Sequence, residues 1–118
     1  MSDLTLAPIE SKFAELIWAN APVSSGDLVR LAEAALGWKK STTYTVLRRL
    51  CQKGLFQNQN GAVTALVTQE DFRARQSEAV IEEAFGGSLP KFLAAFTSRK
   101  KLTETEIDTL QRLIDESR

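Results

Sequence analysis

The chain has 118 residues, 15 Lys and Arg against 15 Asp and Glu, no His and one Cys. That length suits one small domain with an appendage and leaves no room for a second large domain. A lone cysteine, Cys51, cannot close an intrachain disulfide, and without histidine the usual zinc or copper sites cannot be built within one chain, so neither a metal nor another cofactor is expected.

The charge balance hides an uneven distribution. Residues 1–68 hold seven Lys and Arg against five Asp and Glu, and residues 69–118 hold eight against ten, so the front is +2 and the back −2. From Ala34 to Gln69 there is no acid, while Lys39, Lys40, Arg48, Arg49 and Lys53 give a local charge of +5. Such a field attracts a polyanion and marks a nucleic-acid reader. The plainer reading is a solvated charge run.

In chain order, Asp3, Glu10 and Glu15 interrupt an opening segment with a helical period. This argues against a signal peptide or membrane span and predicts a cytoplasmic protein. Thr5 is the expected cap of a first helix in which Leu6, Ile9, Phe13, Leu16 and Ile17 recur at three- and four-residue spacing, with Pro8 tolerated in its first turn. That helix is expected to end near Asn20 and Pro22. Ser24 with Asp27 opens a second helix, whose Leu28, Leu31, Ala32 and Ala35 form one face before Gly37 stops it. Trp38 is expected to fill the space between the second and third helices; stacking on a base is the alternative.

The third helix is expected to start at Ser41 or Thr42 and to run to about Lys53, with Gly54 beyond it. Projected at about 100° per residue, Thr43, Val46, Leu47 and Leu50 share one side. Ser41, Thr45, Arg48 and Gln52 lie opposite, flanked by Tyr44 and Arg49, so one face packs and the other is free to read. Leu55–Gln59 and Ala62–Val67 are β-rich runs on either side of Asn60-Gly61, the strongest short hairpin signal. Three helices and a hairpin describe a winged helix. The hairpin lacks Lys and Arg, so on DNA it would rely on backbone N–H groups and the amides of Gln57, Asn58, Gln59 and Asn60.

Residues 69–118 read as three more helices: Thr68 with Asp71 caps the first, Ser88 starts the second with Pro90 in its first turn, and Thr103 with Glu106 caps the third. Gly86 and Gly87 separate the first two. Their apolar sets are Phe72, Ala79, Val80 and Phe85; then Leu89, Phe92, Leu93 and Phe96; then Ile107, Leu110, Leu113 and Ile114. Three short helices cannot bury these stripes alone; packing against the N-terminal domain would hide some of them, but a symmetric partner is the more economical answer, which predicts a homodimer. The fold class is therefore mainly α (α+β): a winged-helix DNA-binding domain over 1–68 and a helical dimerisation region over 69–118. General acid–base chemistry needs positioned titrating groups, and the carboxylates here lie mostly on tail faces, so no enzyme is expected.

Trp38 followed by Thr42, Thr45, Leu47, Arg49, Leu50, Lys53 and Gly54 resembles the W-x3-T-x2-T-x-L-x-R-L-x2-K-G signature of the penicillinase-repressor family. That family includes the β-lactamase, methicillin-resistance and copper-responsive repressors. Leu4-Thr5, Ile17-Trp18, Val23-Ser24 and Gly86-Gly87 are similar to its layout as well. The resemblance implies a dimeric bacterial repressor on double-stranded DNA, at a palindromic operator related to TACA and TGTA.

Carried over residue by residue, it gives Thr42, Thr45 and Arg48 to base edges or nearby sugar-phosphate, with Tyr44 at a variable recognition position. Arg49 and Lys53 go to phosphate, and Lys40 and Ser41 to the backbone at the helix start; Lys39 is counted among the DNA-binding residues for its charge. The structural alternatives are an ion pair from Arg49 to a carboxylate such as Glu15, a dipole role for Lys53 and a capping role for Thr42. Two features depart from the family. Ala95, before Phe96, stands where the β-lactamase branch is cut at an Asn-Phe bond, leaving a regulatory protease open. Residues 97–118 also lack the C-x-C metal pair of the copper-responsive branch. The reading from another class is a winged-helix protein-interaction module without sequence-specific DNA binding.

Overall fold

The structure is a computed structural model that describes residues 5–118; Asp3 and Leu4 lie outside the described residues. Its elements in order are α1 (Pro8–Asn20), β1 (Val23–Ser24), α2 (Ser25–Leu36), α3 (Lys40–Gln52), β2 (Phe56–Gln59), β3 (Ala62–Ala65), α4 (Gln69–Phe85), α5 (Leu89–Arg99) and α6 (Glu104–Glu116). This is a mainly α winged helix with a small antiparallel β-sheet. One compact unit runs to Ala79 and a second spans Val80–Arg118.

Helix α1 begins with Pro8 at its first position, where the missing N–H costs nothing, so its cap is Ala7 rather than Thr5. Its buried stripe is Glu10, Phe13, Ala14 and Ile17. Ile9 falls outside that stripe and is exposed, contrary to the expected pattern. In α2 the Ser24 hydroxyl accepts the Asp27 N–H at 3.0 Å. The helix ends on left-handed Gly37 (φ 69°), a conformation that glycine adopts without a Cβ clash. Leu28 and Ala32 are buried, while Ala35 is exposed and Leu36 packs against the core instead.

Helix α3 begins at Lys40, one residue earlier than expected, with Lys39 as N-cap. Thr43, Val46, Leu47 and Leu50 are its buried residues, the side the projection assigns to the core. Thr43 keeps its buried hydroxyl satisfied by donating to the Lys39 carbonyl at 3.2 Å. Trp38 is buried on Phe13, ring centroids 5.0 Å apart, so it serves as core between the helices rather than as a free stacking platform. Phe13, Ile17, Leu28, Leu50, Phe56 and Val63 complete a core in which each fully buried side chain contributes about 1.5–3 kcal/mol.

The hairpin pairs Phe56 with Ala65 and Gln59 with Ala62. Asn60 (φ 53°) and Gly61 (φ 86°) both take the left-handed conformation that a two-residue type I′ turn needs. Its strands are shorter than the β-rich runs. The hairpin also gains a third strand, in the order β1-β3-β2, because Val23 pairs with Val63 and Ser24 with Ala62. Two residues are too few to show a strand period. Trp18 ties this sheet to α1: its indole N–H donates to the Val67 carbonyl at 2.8 Å, and its ring packs on Phe56 and Phe72.

The tail caps form as the sequence suggests. Thr68 Oγ1 accepts the Asp71 N–H and Ser88 Oγ the Lys91 N–H, both at 3.1 Å. Thr103 and Glu106 form a reciprocal capping box.

Candidate nucleic-acid interface

The exposed side of α3 is built by its buried side. With Thr43, Val46, Leu47 and Leu50 locked in the core, Ser41, Thr45, Arg48 and Gln52 stand exposed in one band, and Thr42 is exposed on its flank beside Arg49. Lys39 makes no side-chain hydrogen bond to the helix start. The first-turn N–H groups, beside Lys39 and Lys40, therefore lack a side-chain cap there and offer a fit for a phosphate oxygen. Thr42 lies inside the helix, so it is not the cap. Thr45 donates back to the Ser41 carbonyl at 2.9 Å and retains its acceptor lone pairs. Arg48 is exposed.

Tyr44 is half-buried, and its hydroxyl is 3.2 Å from Ser25 Oγ. Ser25 also donates its N–H to the Gly61 carbonyl at 2.8 Å, so one residue links α3, the start of α2 and the wing turn. A cleft of about 250 Å³ opens between α3 and the wing, lined by Tyr44, Leu47, Arg48, Cys51 and Asn58. Burial pushes the Cys51 thiol up, so it stays protonated at neutral pH. On the wing, Asn58 Oδ1 accepts the Gly61 N–H at 3.1 Å, which commits that oxygen to the turn.

Arg49 and Lys53 have a partner the sequence reading missed. Arg49 Nη1 lies 3.4 Å from Glu10 Oε2 and Lys53 Nζ 3.5 Å from Glu10 Oε1, so the carboxylate is Glu10, not Glu15. Lys53 also donates to the Thr5 carbonyl at 2.9 Å. The Ala7 N–H donates to Glu10 Oε1 at 2.9 Å. That hydrogen bond, with the neighbouring Lys53 and Arg49, holds the Glu10 carboxyl below its ordinary range despite burial. The signal was available: Glu10 lies on the same i, i+3, i+4, i+7 stripe as Phe13, Ala14 and Ile17, where a carboxylate needs cations.

Among the residues expected to dimerise, Phe72 is buried in the N-terminal unit against Trp18 and is committed within one chain. The others lie in the second unit. Val80, Leu89, Phe96, Ile107, Leu113 and Ile114 are each 44–55 % exposed. Phe92 bridges Phe85 and Phe96 at centroid distances of 5.5 and 6.2 Å. A hollow of about 400 Å³ lies between α5 and α6, lined mainly by Phe92, Leu93, Phe96, Leu102 and Leu110. Ala95 and Phe96 sit inside α5. Among the described residues, no helix is long and apolar enough to cross a membrane.

A family model described as penicillinase repressor matches residues 6–116, nearly the whole chain. The chain belongs to the penicillinase repressor family. It is thereby a member of a family of transcriptional repressors. A penicillinase repressor from Bacillus licheniformis is 22 % identical over 115 residues, covering 94 % of this chain and 90 % of that protein. An uncharacterised 16.5 kDa protein from Latilactobacillus sakei is 27 % identical over 109 residues, covering 89 % of this chain and 75 % of its own length.

Proposed function

We propose that the chain is a dimeric bacterial repressor that reads an inverted-repeat operator through the exposed face of α3. The observation that carries this is the acid-free surface of Ser41, Thr42, Thr45 and Arg48, held outward by a fully packed opposite face in a member of a repressor family. In this reading Thr42, Thr45 and Arg48 address base edges in the major groove, while Lys39, Lys40 and Ser41 bring the helix start onto phosphate. Residues 1–68 form the DNA-binding domain, and the helical region after them supplies the partner surface, from Val80 onward. Two α3 helices about one duplex turn apart then match a palindrome.

Fluorescence anisotropy against a TACA/TGTA palindrome and a scrambled duplex, each at two salt concentrations, tests this. Tight binding to the palindrome that weakens with salt is expected. Arg48→Ala should weaken palindrome binding by about 1–3 kcal/mol and leave scrambled DNA little changed. Weak, equal binding to both duplexes would instead favour a protein-interaction module.

A further inference from the structure

We propose that Glu10 is a positioning residue for the DNA-reading helix: it clamps the C-terminal end of α3 through Arg49 and Lys53, and so withdraws Lys53 from phosphate binding. This rests on the reading of α3 as the DNA-contacting helix. Glu10 is 4 % exposed, and both its oxygens are engaged, by the Ala7 N–H and Lys53 on one side and Arg49 on the other. A carboxylate this buried is tolerated only while its cations stay.

The two cations differ. The Lys53 side chain is 18 % exposed and its ammonium is shared between Glu10 and the Thr5 carbonyl. Reaching a phosphate would strip a buried anion of one of its two cations. The Arg49 side chain is 52 % exposed, with one guanidinium nitrogen on Glu10 and the rest of its fork open. Arg49 is thus held at a set place, where its outer edge can still meet DNA. The five cations of the acid-free stretch therefore do not count equally. Lys53 seats the helix, and Lys39, Lys40 and Arg48 carry the free charge.

The test is the dependence of log K on log salt for the full chain on the palindrome, in wild type, Lys40→Met, Lys53→Met and Glu10→Gln/Lys53→Met. Removing a phosphate contact flattens the slope by about 0.9 per contact. Lys40→Met should flatten it, whereas Lys53→Met should keep the wild-type slope while lowering the palindrome-to-scrambled affinity ratio. If Lys53→Met does not fold, the double variant stands in and its slope should be no flatter than wild type. A flattening by Lys53→Met equal to that of Lys40→Met would overturn the proposal. Unfolding without DNA separates the clamp from the DNA reading. Glu10→Gln and Lys53→Met should each lower Tm by about 4 °C or more, and the double variant should lose less than the two combined. Additive losses overturn the clamp, and a wild type with no salt-sensitive duplex binding overturns the DNA reading and the positioning role with it.

Discussion

Glu10 shows how one side chain can be both a liability and a fastening. Its carboxyl lies below the ordinary 4.5 because the Ala7 N–H, and then Lys53 and Arg49, favour the charged form more strongly than burial opposes it. A carboxylate whose folded-state pKa is depressed stabilises the fold fully above its unfolded value. That stabilisation is lost as pH falls through the folded value. Glu10→Gln is therefore expected to be less stable than wild type by about 1–3 kcal/mol at pH 7. The gap should narrow steadily below about pH 4.5. Urea unfolding of both proteins from pH 7 to pH 3 checks this, and a gap that stays constant with pH would count against it. Trp38 and Thr43 make the complementary point, since both belong to the motif-bearing segment yet are buried.

The wing depends on a two-residue turn held between strands of four residues each. At Gly61 (φ 86°) an added Cβ would meet only Ser25 Oγ, at an ordinary 3.6 Å, so the penalty of Gly61→Ala is backbone strain rather than a clash. The expected loss is about 1 kcal/mol or somewhat more, read as a shift in the midpoint of chemical unfolding. Helix α3 should feel the change only through the Tyr44–Ser25–Gly61 link, because its buried face belongs to the core cluster. Much of this element was legible: Asn-Gly fixed the hairpin, and serine and threonine caps fixed α2, α4, α5 and α6. Strand β1 was not legible, because a two-residue strand exists only through its pairing with β3. The start of α1 was misread because Pro8 moved the cap to Ala7.

Across the molecule, burial is concentrated in the N-terminal unit; among the described residues, none of α5 or α6 is buried. An amphipathic helix draws most of its stability from a covered apolar face, and among the described residues these helices cover theirs only in part, with Phe92, Leu93 and Leu110 half-buried. The proposed dimer supplies the rest of that cover. Replacing Leu110 and Ile114 together with serine should convert the dimer to monomers in sedimentation velocity. It should also weaken operator affinity at least tenfold, since a lone half-site loses the gain of paired binding. An unchanged sedimentation coefficient would remove α6 from the interface.

The sequence by itself determined the six helices, the hairpin and the family, though not strand β1 or the start of α1, because helical period, cap residues, the Asn-Gly turn and the Trp38-to-Gly54 motif are all local patterns. It also determined which side of α3 faces the core, since that follows from the helical repeat. Only the tertiary structure decided which charges are free. Glu10 lies 39 residues before Arg49 and 43 before Lys53, and no local pattern records that three side chains so far apart meet. The same holds for Phe72, which the stripe of α4 offers to a partner and which packing against Trp18 claims for its own chain.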